Sequence, residues 1–251
     1  LQAFNLIFNT LFIKYEIESL KVYLRRIKSG SDYKEYEDSA DYLGKPSRLD
    51  VKALSSSGSI AEFIENLKGT IYYDYLHPFI GNGNDIELFN IEMVLDLAYF
   101  DLFYKNLRLI DDEDRKIAGD IEGANVDLLN LQWIYRGLKF YRLSPEELFN
   151  YTIAYGKEFS RDSIKKLCYV KNIDELQKLV SATKYGFLFD YESPRDIFME
   201  RRLLRYQYLK LKKAKARAGM NISQLMVFSM LQEMEVRDII TIIESIRYEM
   251  P

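Results

Sequence analysis

Val126-Asp127-Leu128-Leu129-Asn130-Leu131 sets an acid before an aliphatic residue, any residue, a small polar residue and another aliphatic, and it runs on to Arg136. At helical spacing Leu128, Leu131 and Tyr135 share one face, so the stretch is one amphipathic helix. Its acid falls early, where the helix dipole favours negative charge, and Arg136 falls late, where a cation is favoured. Upstream, Glu16-Ile17-Glu18-Ser19-Leu20 repeats the order and leads to Arg25. Downstream, at nearly the same spacing, Glu235-Val236-Arg237-Asp238-Ile239 repeats it and leads to Glu244, with Arg247 one turn beyond. The three copies predict matching faces: Ile17, Leu20 and Leu24 in the first, and Val236, Ile239 and Ile243 in the third.

The segments around these helices carry a second match. Ser59-Ile60-Ala61-Glu62 and Asn172-Ile173-Asp174-Glu175 each offer an N-cap followed three residues later by Glu, and Ser144-Pro145-Glu146-Glu147 adds a proline at the first helical position. The first two capped helices both end in Thr-x-Tyr, at Thr70-Ile71-Tyr72 and Thr183-Lys184-Tyr185, so caps and tyrosines recur at one common offset. That unit of roughly 110 residues is far longer than the roughly 20 to 50 residues of solenoid repeats. The expected fold is therefore all-α, with three pseudo-repeated helical lobes around a pseudo-threefold axis: residues 1–75, 76–190 and 191–251.

Elsewhere the chain agrees with an all-helical reading. Its 5 prolines leave long proline-free stretches, and glycines punctuate in groups such as Gly81-Asn82-Gly83. Apolar residues recur at helical spacing in Leu88, Ile91, Leu95, Phe100 and Phe103, and in Leu225, Phe228, Leu231 and Met234, with no sustained alternation of period two.

Composition narrows the chemistry. The 251 residues are 48% hydrophobic and 29% charged, which excludes global disorder. A net charge of -3 argues against a nucleic-acid binder. One cysteine, Cys168, forbids an internal disulfide and fits an intracellular setting; it is expected as a small buried helix residue. One histidine, His77, removes the usual zinc sets and most triads, so no cofactor or metal is expected. The acidic run Asp111-Asp112-Glu113-Asp114 is expected to open a helix rather than hold a cation. Tyr72-Tyr73-Asp74-Tyr75 is expected as a half-buried aromatic seam. No apolar run reaches the roughly 18 residues of a membrane span.

Together, the helix Tyr15–Lys21, the stretch Val126–Leu131, the stretch Glu235–Ile239 and the continuation from Leu138 through Glu147 resemble the C subunit of V/A-type rotary ATPases, the counterpart of the d subunit in eukaryotic V-ATPases. In that family the small polar position is typically Asn, as at Asn130; Ser19 and Asp238 depart from it. The resemblance spans nearly the whole chain, on diffuse helical patterns. It implies a non-catalytic, funnel-shaped rotor part between the axle subunits (of D and F type) and the membrane proteolipid ring, passing torque for proton or sodium transport. It also implies a peripheral position at the cytoplasmic face of the membrane. If lobes are equal, about 80 residues are expected upstream of Leu1, making the chain the C-terminal three quarters of the subunit.

Charge supplies the candidate contacts. Between Arg195 and Arg217 nine basic residues face two acids, a positive face suited to acidic partners or lipid headgroups or a solvated helix face. Glu16 and Arg25, like Asp127 and Arg136, lie nine residues apart and cannot pair within one helix. Candidate partner or inter-lobe contacts are Arg25, Asp127, Arg136, Arg201, Arg202, Lys212, Lys213, Glu235 and Arg237. Two other readings remain. A hydrolase running on paired carboxylates lacks a Glu-x-x-His, a glycine-rich phosphate loop or a nucleophile elbow. An unrelated helical scaffold or adaptor is the second.

Overall fold

The computed structural model describes residues 2–30, 49–80, 88–141, 143–189, 196–217 and 222–248. Gly81-Asn82-Gly83 and Arg195 lie outside the described residues. Every regular element among those described is helical: α1 (Gln2–Ser29), α2 (Val51–Ser56), α3 (Ile60–Glu65), α4 (Tyr73–Leu76), α5 (Leu88–Leu107), α6 (Asp112–Arg136), a π-helical turn (Gly137–Tyr141), α7 (Pro145–Asn150), α8 (Arg161–Cys168), α9 (Ile173–Ser181), a 3₁₀ turn (Gly186–Phe189), α10 (Asp196–Arg217) and α11 (Ile222–Arg247). The chain divides into two compact units, Leu1–Asn106 and Leu107–Pro251.

Helix starts follow the capping chemistry. Ser59 and Asn172 accept from the backbone N–H groups of Glu62 and Glu175. At Ser144 the box closes in both directions, because Glu147 also accepts from the Ser144 backbone N–H at 2.8 Å. Asp111 caps α6 through the N–H of Asp114, so the acidic run opens a helix.

In the first unit α1 and α5 run antiparallel, since Thr10 meets Asn106, Lys21 meets Asp96 and Arg25 meets Glu92. The predicted face of α1, Ile17, Leu20 and Leu24, is buried, as are Phe63, Ile64, Leu67, Tyr72 and Leu76 from the short helices and the turn between them. Burying each such side chain contributes about 1.5–3 kcal/mol. Within the tyrosine run Tyr72 is buried while Tyr73 and Tyr75 are half-buried, the seam that the sequence predicts. Lys21 is also buried, held by Asp96 and by Glu18 of its own helix. Burial pulls its ammonium pKa down, and the two carboxylates outweigh that and raise it.

In the second unit α6 is the central element. Leu128, Leu131, Ile134 and Tyr135 form one cluster with Leu148 of α7, Ile164, Leu167 and Cys168 of α8, Leu176 and Val180 of α9, and Met199 and Leu203 of α10. Cys168 is fully buried, and burial pushes its thiol up to about 12. The N-terminal half of α11 is anchored by Met226 and Val227. Its C-terminal half exposes the third predicted face: Val236, Ile239 and Ile243 are each about half exposed.

Candidate functional site

Each of the first two motif acids is the end point of a latch. Asp127 is fully buried and accepts the Tyr185 hydroxyl at 2.8 Å. It also accepts the backbone N–H groups of Glu158 and Phe159, at 2.7 and 3.3 Å. Glu16, 8% exposed, accepts the Tyr72 hydroxyl at 2.5 Å. Both tyrosines end the Thr-x-Tyr turns, which share one internal geometry. Thr70 donates to the Leu67 carbonyl and accepts from the Tyr72 N–H; Thr183 donates to the Val180 carbonyl and accepts from the Tyr185 N–H. In the sequence the acids and the tyrosines stand out separately, as members of different motifs. The nearly equal offsets, Glu16 to Asp127 and Tyr72 to Tyr185, are the signal that would have paired them.

Burial, and then the facing carboxylate, raises both phenols far above their ordinary range, so both stay protonated donors. Burial raises the Asp127 carboxyl too, opposed by its three donors. Gly156 makes the Asp127 latch possible, because a Cβ there would sit 2.3 Å from Asp127 Oδ1 and 2.9 Å from the Phe159 carbonyl. The loop from Tyr155 to Phe159 closes over the helix for that reason, and the Lys157 N–H reaches the Gly123 carbonyl at 3.1 Å.

Asn130, fully buried, pairs its amide with both backbone groups of Ile153, donating at 2.9 Å and accepting at 2.8 Å. Ser19 at the matching position instead donates to the Tyr15 carbonyl within its own helix. The departure from Asn thus replaces a bond between elements with one inside a helix. Asp238 is exposed on α11.

The other candidates divide by position. Arg25 grips Glu92 with Nε and Nη2 at 2.7 and 2.9 Å. Arg136 is exposed at the end of α6. Arg202 donates to the Leu188 carbonyl, while Arg201, Lys212 and Lys213 stand exposed on α10. Glu235 accepts from Gln232 of its own helix, and Arg237 is exposed beside it. The structure brings none of these together with the two latches except Asp127, which is itself a latch residue. Among the described residues no group of His, Cys, Asp and Glu is placed to hold a metal, and no helix is long and apolar enough to cross a membrane.

Buried acid–tyrosine pairs thus clamp short capped helices onto long amphipathic ones, and every described element is helical; comparison with known proteins gives the chain a family. Residues 4–251 match the ATP synthase (C/AC39) subunit family, and the chain belongs to it. It is similar to the C subunit of the A-type ATP synthase of Methanosarcina acetivorans, 26% identical over 202 residues, covering 80% of this chain and 55% of that protein. The protein of the same name from Methanosarcina mazei is 26% identical over 165 residues, covering 66% and 45%. That of Methanococcoides burtonii is 29% identical over 154 residues, covering 61% and 42%. The chain spans about half the length of these relatives.

Proposed function

We propose that this chain is part of a non-catalytic rotor subunit of an A/V-type ATP synthase, joining the axle subunits to the membrane proteolipid ring and carrying torque between them. The family match over nearly the whole chain carries this reading. The latches support it physically. A torque-bearing part must resist shear, and the latches tie together side chains 56 and 58 positions apart in the chain through buried, charge-assisted hydrogen bonds. The repeated latch also supports a lobe as the unit of construction, with Glu235 marking the third. On this reading the subunit sits at the cytoplasmic face of the membrane, and the basic residues Arg201, Arg202, Lys212 and Lys213 face acidic partners.

The test is affinity purification of the tagged subunit from native membranes in mild detergent. Recovery of the axle pair and the proteolipid ring is the expected result. A subunit that returns neither, or that hydrolyses ATP by itself, overturns the proposal; recovery of unrelated soluble proteins alone would favour an adaptor.

A further inference from the structure

The second unit contains a cleft that the latches do not use and that shares only Lys213 with the rotor reading. It has a volume of about 570 Å³ and lies between the first half of α6, the Lys157 loop and the middle of α10. Ile117, Ile121 and Leu209 supply apolar wall, and Lys157, Lys210 and Lys213 supply three ammonium groups. Against these stands one lining carboxylate, Asp120, which Lys157 engages at 2.6 Å. Lys210 donates at 2.5 Å to the backbone carbonyl of Asp120, a neutral acceptor that itself brings no opposing charge. Burial, and then the neighbouring Lys157, lower the Lys210 ammonium to about 8. Lys184 beyond the wall adds to that push, although Glu158 pairs with it; Asp120 and the buried Asp127 oppose it.

We propose that this cleft binds a phosphate monoester carried on a small apolar body, with the phosphate on Lys157, Lys210 and Lys213 and the body against Ile117, Ile121 and Leu209. Charge selects the ligand. Three lysines less Asp120 leave two positive charges, and a phosphate monoester carries about 1.5 to 2 negative charges near neutral pH, where a carboxylate carries one. Size agrees, since small-molecule sites run from about 300 to 1,000 Å³. Two of the three cationic groups are set in advance: Asp120 orients Lys157 and Lys210, and Asp127 fixes the loop that delivers Lys157. An arriving dianion compensates the cluster and raises the proton affinity of Lys210.

Reactivity of individual lysines reads this directly. At pH 8 acetic anhydride should acetylate Lys210 well ahead of Lys171, an exposed lysine outside the cleft, with each site followed by mass spectrometry. Phenyl phosphate should slow acetylation of Lys210 without slowing Lys171, and should do so at lower concentration than inorganic phosphate. Equal action of the two anions overturns the apolar half of the proposal, and no protection by either up to millimolar concentration overturns all of it. Protection by phosphatidate vesicles but not by phenyl phosphate would assign the cleft to a membrane surface and overturn the soluble ligand. Calorimetric titration of K210M, its fold checked by circular dichroism, should show binding weakened about tenfold or more through the lost charge-assisted bond. Unchanged affinity in a folded K210M also overturns the proposal.

Discussion

Tyr185 donates its hydroxyl to Asp127 across 58 residues of chain, inside a core where both side chains are fully buried. Tyr72 and Glu16 make the corresponding bond in the first unit. A hydrogen bond to a charged group contributes about 1.5–3 kcal/mol, so Y185F and Y72F should each lower unfolding stability by about that much in urea titrations. Asp127 keeps the backbone N–H groups of Glu158 and Phe159 in Y185F, so that loss should fall toward the lower end of the range. A change no larger than an ordinary surface substitution in either variant would show that its hydroxyl does not hold the core together.

Gly156 is required by space rather than by its own backbone angles. A methyl group there meets a carboxylate oxygen and a backbone carbonyl, neither able to retreat without breaking the Asp127 latch. G156A should lose about 1–3 kcal/mol, the usual cost of overpacking, and the Tyr155–Phe159 loop should exchange its amide protons faster. Wild-type exchange in that loop would show that Asp127 does not hold it.

The match between the first two motifs is legible in the sequence because it rests on residues with few physical substitutes: caps such as Ser59 and Asn172, aliphatic faces such as Ile17–Leu20–Leu24, and the acids Glu16 and Asp127. What those acids bind is not legible. A charged residue on a helix reads as a surface feature, and only the chain's return, 56 positions on for Glu16 and 58 for Asp127, buries it under a tyrosine. Lys157 escapes notice for the same reason, and Lys210 shows only as one of the nine basic residues between Arg195 and Arg217, since a cleft walled by α6, a loop and α10 has no signature in sequence spacing. The candidate pairs with Arg25 and Arg136 rest on matching positions, and Arg25 finds Glu92 on a helix that the motif does not include.

The Asn130 and Ser19 positions separate a bond between elements from one within a helix. N130A would leave the N–H and carbonyl of Ile153 buried without the partner they have now, a cost of about 2–4 kcal/mol. S19A removes a hydroxyl that only doubles onto its own helix, and its effect should stay within about 0.5 kcal/mol. Thermal unfolding of both variants tests this, and equal losses would contradict the assignment.

Lys21 and Lys210 are lysines whose proton affinities the fold moves in opposite directions, and their pH signatures differ in sign. Lys21 has a raised pKa, so its stabilising contribution is complete below the unfolded value near 10.5 and is lost as pH climbs through the higher folded value. K21M breaks a mostly buried ion pair and should cost about 3 kcal/mol at neutral pH. Lys210 has a folded pKa of about 8, so the folded state carries the cost of its charge below pH 8. Between pH 8 and the unfolded value near 10.5 the unfolded chain binds more protons than the folded one, and stability rises with pH. Relative to K210M, the wild type should therefore gain stability as pH rises from 8 to 10, while relative to K21M it should show no such gain. Denaturant titrations of the three proteins at pH 7, 8, 9 and 10 measure both slopes, and a flat difference between wild type and K210M would mean that Lys210 is solvated like an ordinary surface lysine.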